Sequence, residues 1–148
     1  MTEFPKMEDF PMLRKYIELA LRLVEAKEPE QVKDISWRMI TFVRPAMEEA
    51  KIYNQQSNTA SRELNEFCDI KRPEEDYQRV YASVNAEPFK RFAIVCEKQG
   101  DFNHAIWACQ QAISLGLTDD GTKAGMKGRL DKLFKRYNEQ CREQKSRH

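Results

Sequence analysis

The chain has 148 residues and a formal net charge of +1, with a third of its residues charged and only five glycines and six prolines. A near-neutral balance gives the whole molecule no electrostatic instruction toward nucleic acid or membrane. Its longest apolar stretches, such as residues 92–96, are far too short to cross a bilayer, and Met1-Thr2-Glu3-Phe4-Pro5 lacks the basic start and apolar core of a secretory signal, so a cytoplasmic location is expected.

No alternating apolar and polar run is bounded by hairpin turns, and the single Asp-Gly, Asp120-Gly121, sits between helical patterns. The expectation is an all-α fold of antiparallel helical hairpins in one domain. Residues 1–70 supply N-terminal helices, 71–86 a connector, 87–117 a hairpin, and 118–148 a final helix with a basic tail.

A first helix is expected over residues 10–27, with Leu13, Ile17, Ala20, Leu21 and Val24 recurring at helical spacing. Pro29 suits the first turn of a second helix whose inward face is Val32, Ile35, Met39, Phe42 and Val43, and Pro45 ends or kinks it. A third helix then runs to about Cys68. Its seam of Ala46, Ala50, Tyr53, Ser57, Ala60, Leu64 and Phe67 fits either packing within the chain or self-association, while Gln55, Gln56, Asn58 and Arg62 face water. Lys71-Arg72-Pro73 is a break, and residues 74–83 form a short helix or an irregular connector.

Pro88 opens the next helix, which runs to about Lys98 and stops at Gly100; Asn103 caps a helix over 104–115 that Gly116 closes. The last helix, from about Thr122, carries Met126, Leu130, Leu133, Phe134, Tyr137 and Cys141 on one side.

Between residues 87 and 117 the pattern of types is specific. Phe89, Phe92, Ala93 and Cys96 stand where a tetratricopeptide repeat places tryptophan, leucine, glycine and tyrosine. Gly100-Asp101-Phe102 resembles the turn between the paired helices. Ala105 and Ala112 match the family's alanines, Cys109 replaces a phenylalanine, and Leu117 stands in the place of the closing proline. This segment, about a fifth of the chain, resembles one unit of that family. No second copy is visible, so the resemblance implies a capping helix after the unit and a helical layer before it.

The resemblance also implies a binding face on the outward side of the unit's first helix. Lys90, Ile94 and Glu97 fall at i, i+4 and i+7 there and are the candidate partner contacts. Ile94 occupies a place where carboxylate-binding members tend to carry asparagine, so a mixed apolar and charged epitope is expected; packing of Ile94 beneath the N-terminal helices is the alternative.

Catalytic chemistry finds little to build on. The histidines are His104, read as a surface residue at a helix start, and His148 at the far end, and they make no pair. Cys68, Cys96, Cys109 and Cys141 are scattered, without metal-ligand spacing, and are expected as reduced, packed thiols. Adjacent carboxylates such as Glu48-Glu49 and Asp119-Asp120 point in different directions or cap a helix. Gly121, Gly125 and Gly128 beside Lys123, Lys127 and Arg129 invite comparison with a phosphate loop, but the required run is absent; these three cations remain candidate anion contacts, and residues 118–120 are read as a helix cap.

The leading reading is therefore a protein-interaction adaptor that binds a peptide or protein on a helical groove, with no enzyme activity, cofactor or metal and no membrane. One alternative is a regulatory protein contacting nucleic acid through the C-terminal helix, where nine Lys or Arg from Thr118 onward face five Asp or Glu and Lys132, Lys135, Arg136 and Arg142 are exposed candidates. The other is a self-associating subunit, a homo-oligomer built on the third helix. Trp37 and Trp107 are expected as core or interface anchors.

Overall fold

Two prolines set the helical layout of the first half. The computed structural model, which describes residues 1–146, begins its helices with a 3₁₀ turn at Met7–Asp9 and then α1 at Pro11–Glu25. Pro29 opens α2, Pro29–Thr41, at a position where a missing N–H costs nothing. Pro45 has no N–H and its ring would collide with the carbonyl four residues earlier, so the helix stops at Thr41. Only Phe42 intervenes, with φ −128° and ψ 24°, before α3 at Val43–Phe67 takes Pro45 into its first turn. Phe42 and Val43, expected on the inward face of the second helix, thus lie beyond it.

After a 3₁₀ turn at Glu74–Tyr77 come α4 at Glu87–Lys98, α5 at Phe102–Ser114 and α6 at Gly125–Ser146. All regular structure among the described residues is helical. Contacts divide them into two units: Met1–Leu19 with Phe42–Val84, and Ala20–Thr41 with residues 85–146. The division falls inside α1.

In the first unit, Phe10, Leu13, Ala50 and Ala82 form a buried cluster, flanked by Met7, Ile17, Tyr53 and Val84. The Phe10 and Tyr53 rings meet edge to face at 5.3 Å. Glu49 accepts the Leu13 N–H at 2.6 Å, which satisfies one of the orphan donors at the start of α1 and places a negative charge at the helix's positive end. Of the seam read on α3, Ala46, Ala50, Ser57 and Ala60 are buried, while Leu64 is exposed and Phe67 is 79% exposed.

The connector is held by side chains of α3, two of which, Asn58 and Arg62, were expected to face water. Asn54 donates to the Ala82 carbonyl at 2.7 Å and accepts the Tyr81 and Ala82 N–H groups at 2.9 Å. One turn on, Asn58 donates to the Arg79 carbonyl and accepts its N–H. Arg62 reaches Glu74 and lies over the Tyr77 ring, 4.5 Å from its centre. Asparagine suits this task because its amide presents a donor and an acceptor side by side, as a backbone strand would.

Expectations for the apolar face of α1 are corrected. The buried residues are Leu13, Tyr16, Leu19 and Leu23, whereas Leu21 and Val24 are 66% and 78% exposed.

In the second unit α2 packs on α4, α4 on α5, and α5 on α6. Val32, Ile35 and Met39 are buried on α2, as their spacing implied, together with Ser36, whose hydroxyl donates to the Val32 carbonyl at 2.6 Å. The α4–α5 turn relies on Gly100 at φ +77°, a left-handed conformation that favours glycine. The cap of α5 is Asp101, which accepts the His104 N–H at 3.2 Å; Asn103, expected in that role, lies inside the helix. The four cysteines are free thiols, and burial pushes Cys96 and Cys109 up to about 11. On α6, Met126 and Leu133 are buried, while Phe134 is exposed.

Candidate functional site

Two parts of the second unit collect the residues with chemical capacity. The first is the approach from α5 to α6. Asp120 is buried, and its carboxylate accepts the Thr122 N–H at 2.9 Å, the Thr122 hydroxyl, and Arg129 Nε at 3.0 Å. Burial alone would raise its pKa, but these donors outweigh it and hold the carboxyl below the usual aspartate value. Lys90 Nζ donates to the Asp120 carbonyl at 2.9 Å. Residues 118–120 form an anchored turn that also meets the α6 start: the Thr118 carbonyl accepts the Met126 N–H at 2.8 Å, and Thr122 Oγ1 accepts the Gly125 N–H at 3.2 Å. Gly125 has φ +67°, and a Cβ there would lie 2.6 Å from the Thr118 carbonyl oxygen.

The sequence-derived contacts distribute themselves around this turn. Lys90 and Arg129 converge on Asp120, and Glu97 pairs with Arg136. Ile94 is half-buried. The face carrying Lys90 and Glu97 is thus directed at the segment that follows α5. Glu97, Lys123 and Arg129 come together, with Lys132 and Arg136, around a cavity of about 490 Å³ at the start of α6. Lys127 is exposed and outside that lining. Two of the four cations of this cavity, Arg129 and Arg136, are already paired with carboxylates.

The second part is a groove of about 390 Å³ built by α2, α4 and the start of α5. Its aromatic wall is Trp37 of α2 and Phe92 of α4, whose rings lie 5.5 Å apart. Trp107 of α5 stands at 5.5 Å from Trp37 and backs it. Trp37 is 42% exposed, because the buried stripe of α2 runs through Val32, Ile35, Ser36 and Met39 and leaves residue 37 at its edge. Glu30, Lys33, Asp34, Asp101 and His104 complete the lining.

These polar residues are tied to the scaffold. Lys33 donates to Gln99 Oε1 at 2.9 Å, and Gln99 Nε2 donates to Glu30 at 3.0 Å, which links α2 to the end of α4. Asp101 faces the His104 ring nitrogen at 2.7 Å. Burial would raise the Asp101 pKa, but the hydrogen bonds from His104 outweigh it and keep the group below its ordinary value, hence ionised at neutral pH. Asp34 forms an exposed ion pair with Arg38 at 3.2 Å.

Trp37 and Trp107 stand out in the sequence as anchors but are not joined there, since nothing in the spacing of α2 says which helix it will lie against. The surplus of Trp37 beyond the inward stripe is the signal that was present.

Among the described residues no group of three or more His, Cys, Asp or Glu side chains is arranged to hold a metal ion, and no helix is long and apolar enough to cross a membrane. No protein-family model, no curated protein and no solved structure matches the chain.

Proposed function

We propose that this chain is a protein-interaction adaptor that holds a peptide segment of a partner in the groove between α2 and the α4–α5 hairpin. The observation that carries the reading is Trp37, a large aromatic residue with 42% of its surface open, set beside Phe92 in a concave site fixed by hydrogen bonds. Tryptophan is enriched among the residues that dominate interface energies, because it brings much contact area at little entropic cost. The binding face moves accordingly from the Lys90 and Glu97 side of α4, which is engaged with residues 120 and 136, to the α2 side.

The tetratricopeptide-like packing read from residues 87–117 supports the same function. Ala93 and Ala105, the small residues that let paired helices approach, are both buried, as are Phe89, Cys96, Cys109 and Ala112. Stacked helical hairpins of this kind serve as extended recognition surfaces. No catalytic role is proposed.

Selection of peptides from a random display library on the whole chain tests the proposal. Selected peptides are expected to lose at least about tenfold in affinity, roughly 1.4 kcal/mol, on Trp37→Ala, measured at a temperature where circular dichroism shows the variant folded. Peptides that bind the variant as well as the parent chain place the site elsewhere and reject the groove.

A further inference from the structure

Three carboxylates, Glu30, Asp34 and Asp101, share the groove lining with one lysine and one histidine. The Lys33 ammonium is turned to Gln99. Asp101 accepts from the His104 N–H at 3.2 Å and faces its ring nitrogen at 2.7 Å. Against these three carboxylates stand Lys33 and Arg38, the latter paired with Asp34 at 3.2 Å, so with His104 neutral the aromatic wall lies beside an excess of one negative charge.

An occupant must satisfy both halves of this lining. An acidic segment would meet like charges at short range, and an uncharged apolar one would strip water from the carboxylates with nothing in return. A cationic side chain meets both demands, since ammonium and guanidinium groups are attracted to aromatic faces, tryptophan most strongly, and to carboxylates. A volume of about 390 Å³ accommodates one such long side chain and its neighbours.

We infer that the occupant is a basic peptide segment whose lysine or arginine side chain lies against Trp37 with its charge among Asp34, Glu30 and Asp101. This deepens the adaptor reading and rests on it.

The test uses the full chain carrying Trp107→Phe, which leaves Trp37 as the sole tryptophan and keeps a ring behind it. Three decapeptides are titrated at about 150 mM salt, where long-range attraction is screened: one alternating Lys or Arg with Ser, one with Glu in the basic places, and one uncharged with Leu there. The basic peptide is expected to change Trp37 emission saturably and the other two to leave it unchanged. Glu30→Gln with Asp34→Asn should weaken basic-peptide binding at least about tenfold at an unchanged melting temperature. If the double variant is unstable, Asp34→Asn alone, at an exposed position, should weaken it at least about threefold.

Equal or tighter binding of the acidic or uncharged peptide overturns the cationic occupant and leaves the peptide groove standing. Basic-peptide binding that is indifferent to the carboxylate changes also overturns it. No response to any of the three overturns it too, and the Trp37 dependence of display-selected peptides then decides separately whether the adaptor reading survives.

Discussion

Asp120 has no accessible side-chain surface, so its charge stands or falls with the groups that face it. Thr122 supplies two donors, Arg129 supplies a third, and Lys90 secures the carbonyl of the same residue. Asp120→Asn removes the charge while keeping the shape, and leaves Arg129, 20% exposed, without its partner. The expected loss is roughly 2 to 3 kcal/mol, near the lower end for breaking a buried pair because Arg129 retains some access to water. Against the opposing effect of burial, the donors on Asp120 set an acid dependence, Thr122 contributing most and Arg129 after it. The folded-state pKa lies below the ordinary 3.8, so the contribution is fully present above about pH 4 and is lost as pH falls through the folded value. Thermal melts from about pH 7 down to about pH 2 should show a steeper acid loss for the parent chain than for the variant; parallel curves would count against this role for Asp120.

At the scale of elements, the α4–α5 pair depends on small residues where the helices meet. Ala93 and Ala105 are buried on facing helices joined by a three-residue turn. A leucine at either position adds three carbons to a filled space, which costs roughly 1 to 3 kcal/mol through displaced rotamers and backbone. Ala93→Leu and Ala105→Leu should each lower the melting temperature by at least about 3 °C, and unchanged melting for both would refute close packing here. The α3 connector shows a different economy. Asn54 and Asn58, four residues apart, act as one face that binds the backbone at residues 79–82. Four-residue spacing puts them in line on the helix, so polar residues there bind chain as well as water.

Charge is decided over the whole molecule. The C-terminal excess of Lys and Arg would suit a polyanion if the cations were free. Two of the nine, Arg129 and Arg136, are instead paired with Asp120 and Glu97, five carboxylates are interspersed among them, and the net charge of the chain is +1. The expected outcome is no change in the anisotropy of a labelled single-stranded 20-nucleotide RNA or DNA at about 150 mM salt, since the sequence-independent term is set by the number of phosphates neutralised. Saturable binding with a steep salt dependence would instead favour nucleic acid as the partner.

Helical class and the breaks at the prolines and glycines were legible in the chain itself, because each rests on local geometry: a missing N–H at Pro45, a left-handed φ at Gly100, a 3.6-residue period along Val32, Ile35 and Met39. Periodicity misled on α1, where Leu21 and Val24 continue an apolar pattern yet lie in the open, since a stripe of apolar residues does not say which of them a neighbour will cover. The groove was beyond sequence for the same reason. Trp37 and Phe92 are 55 positions apart, and only the packing of α2 on α4 brings them to 5.5 Å and sets Asp34 and Asp101 beside them. Lys90 looked free on its own helix because its partner, the Asp120 carbonyl, lies 30 residues away on a turn whose path is fixed by a buried ion pair. Local spacing encodes which face an element offers; tertiary structure alone decides what meets it.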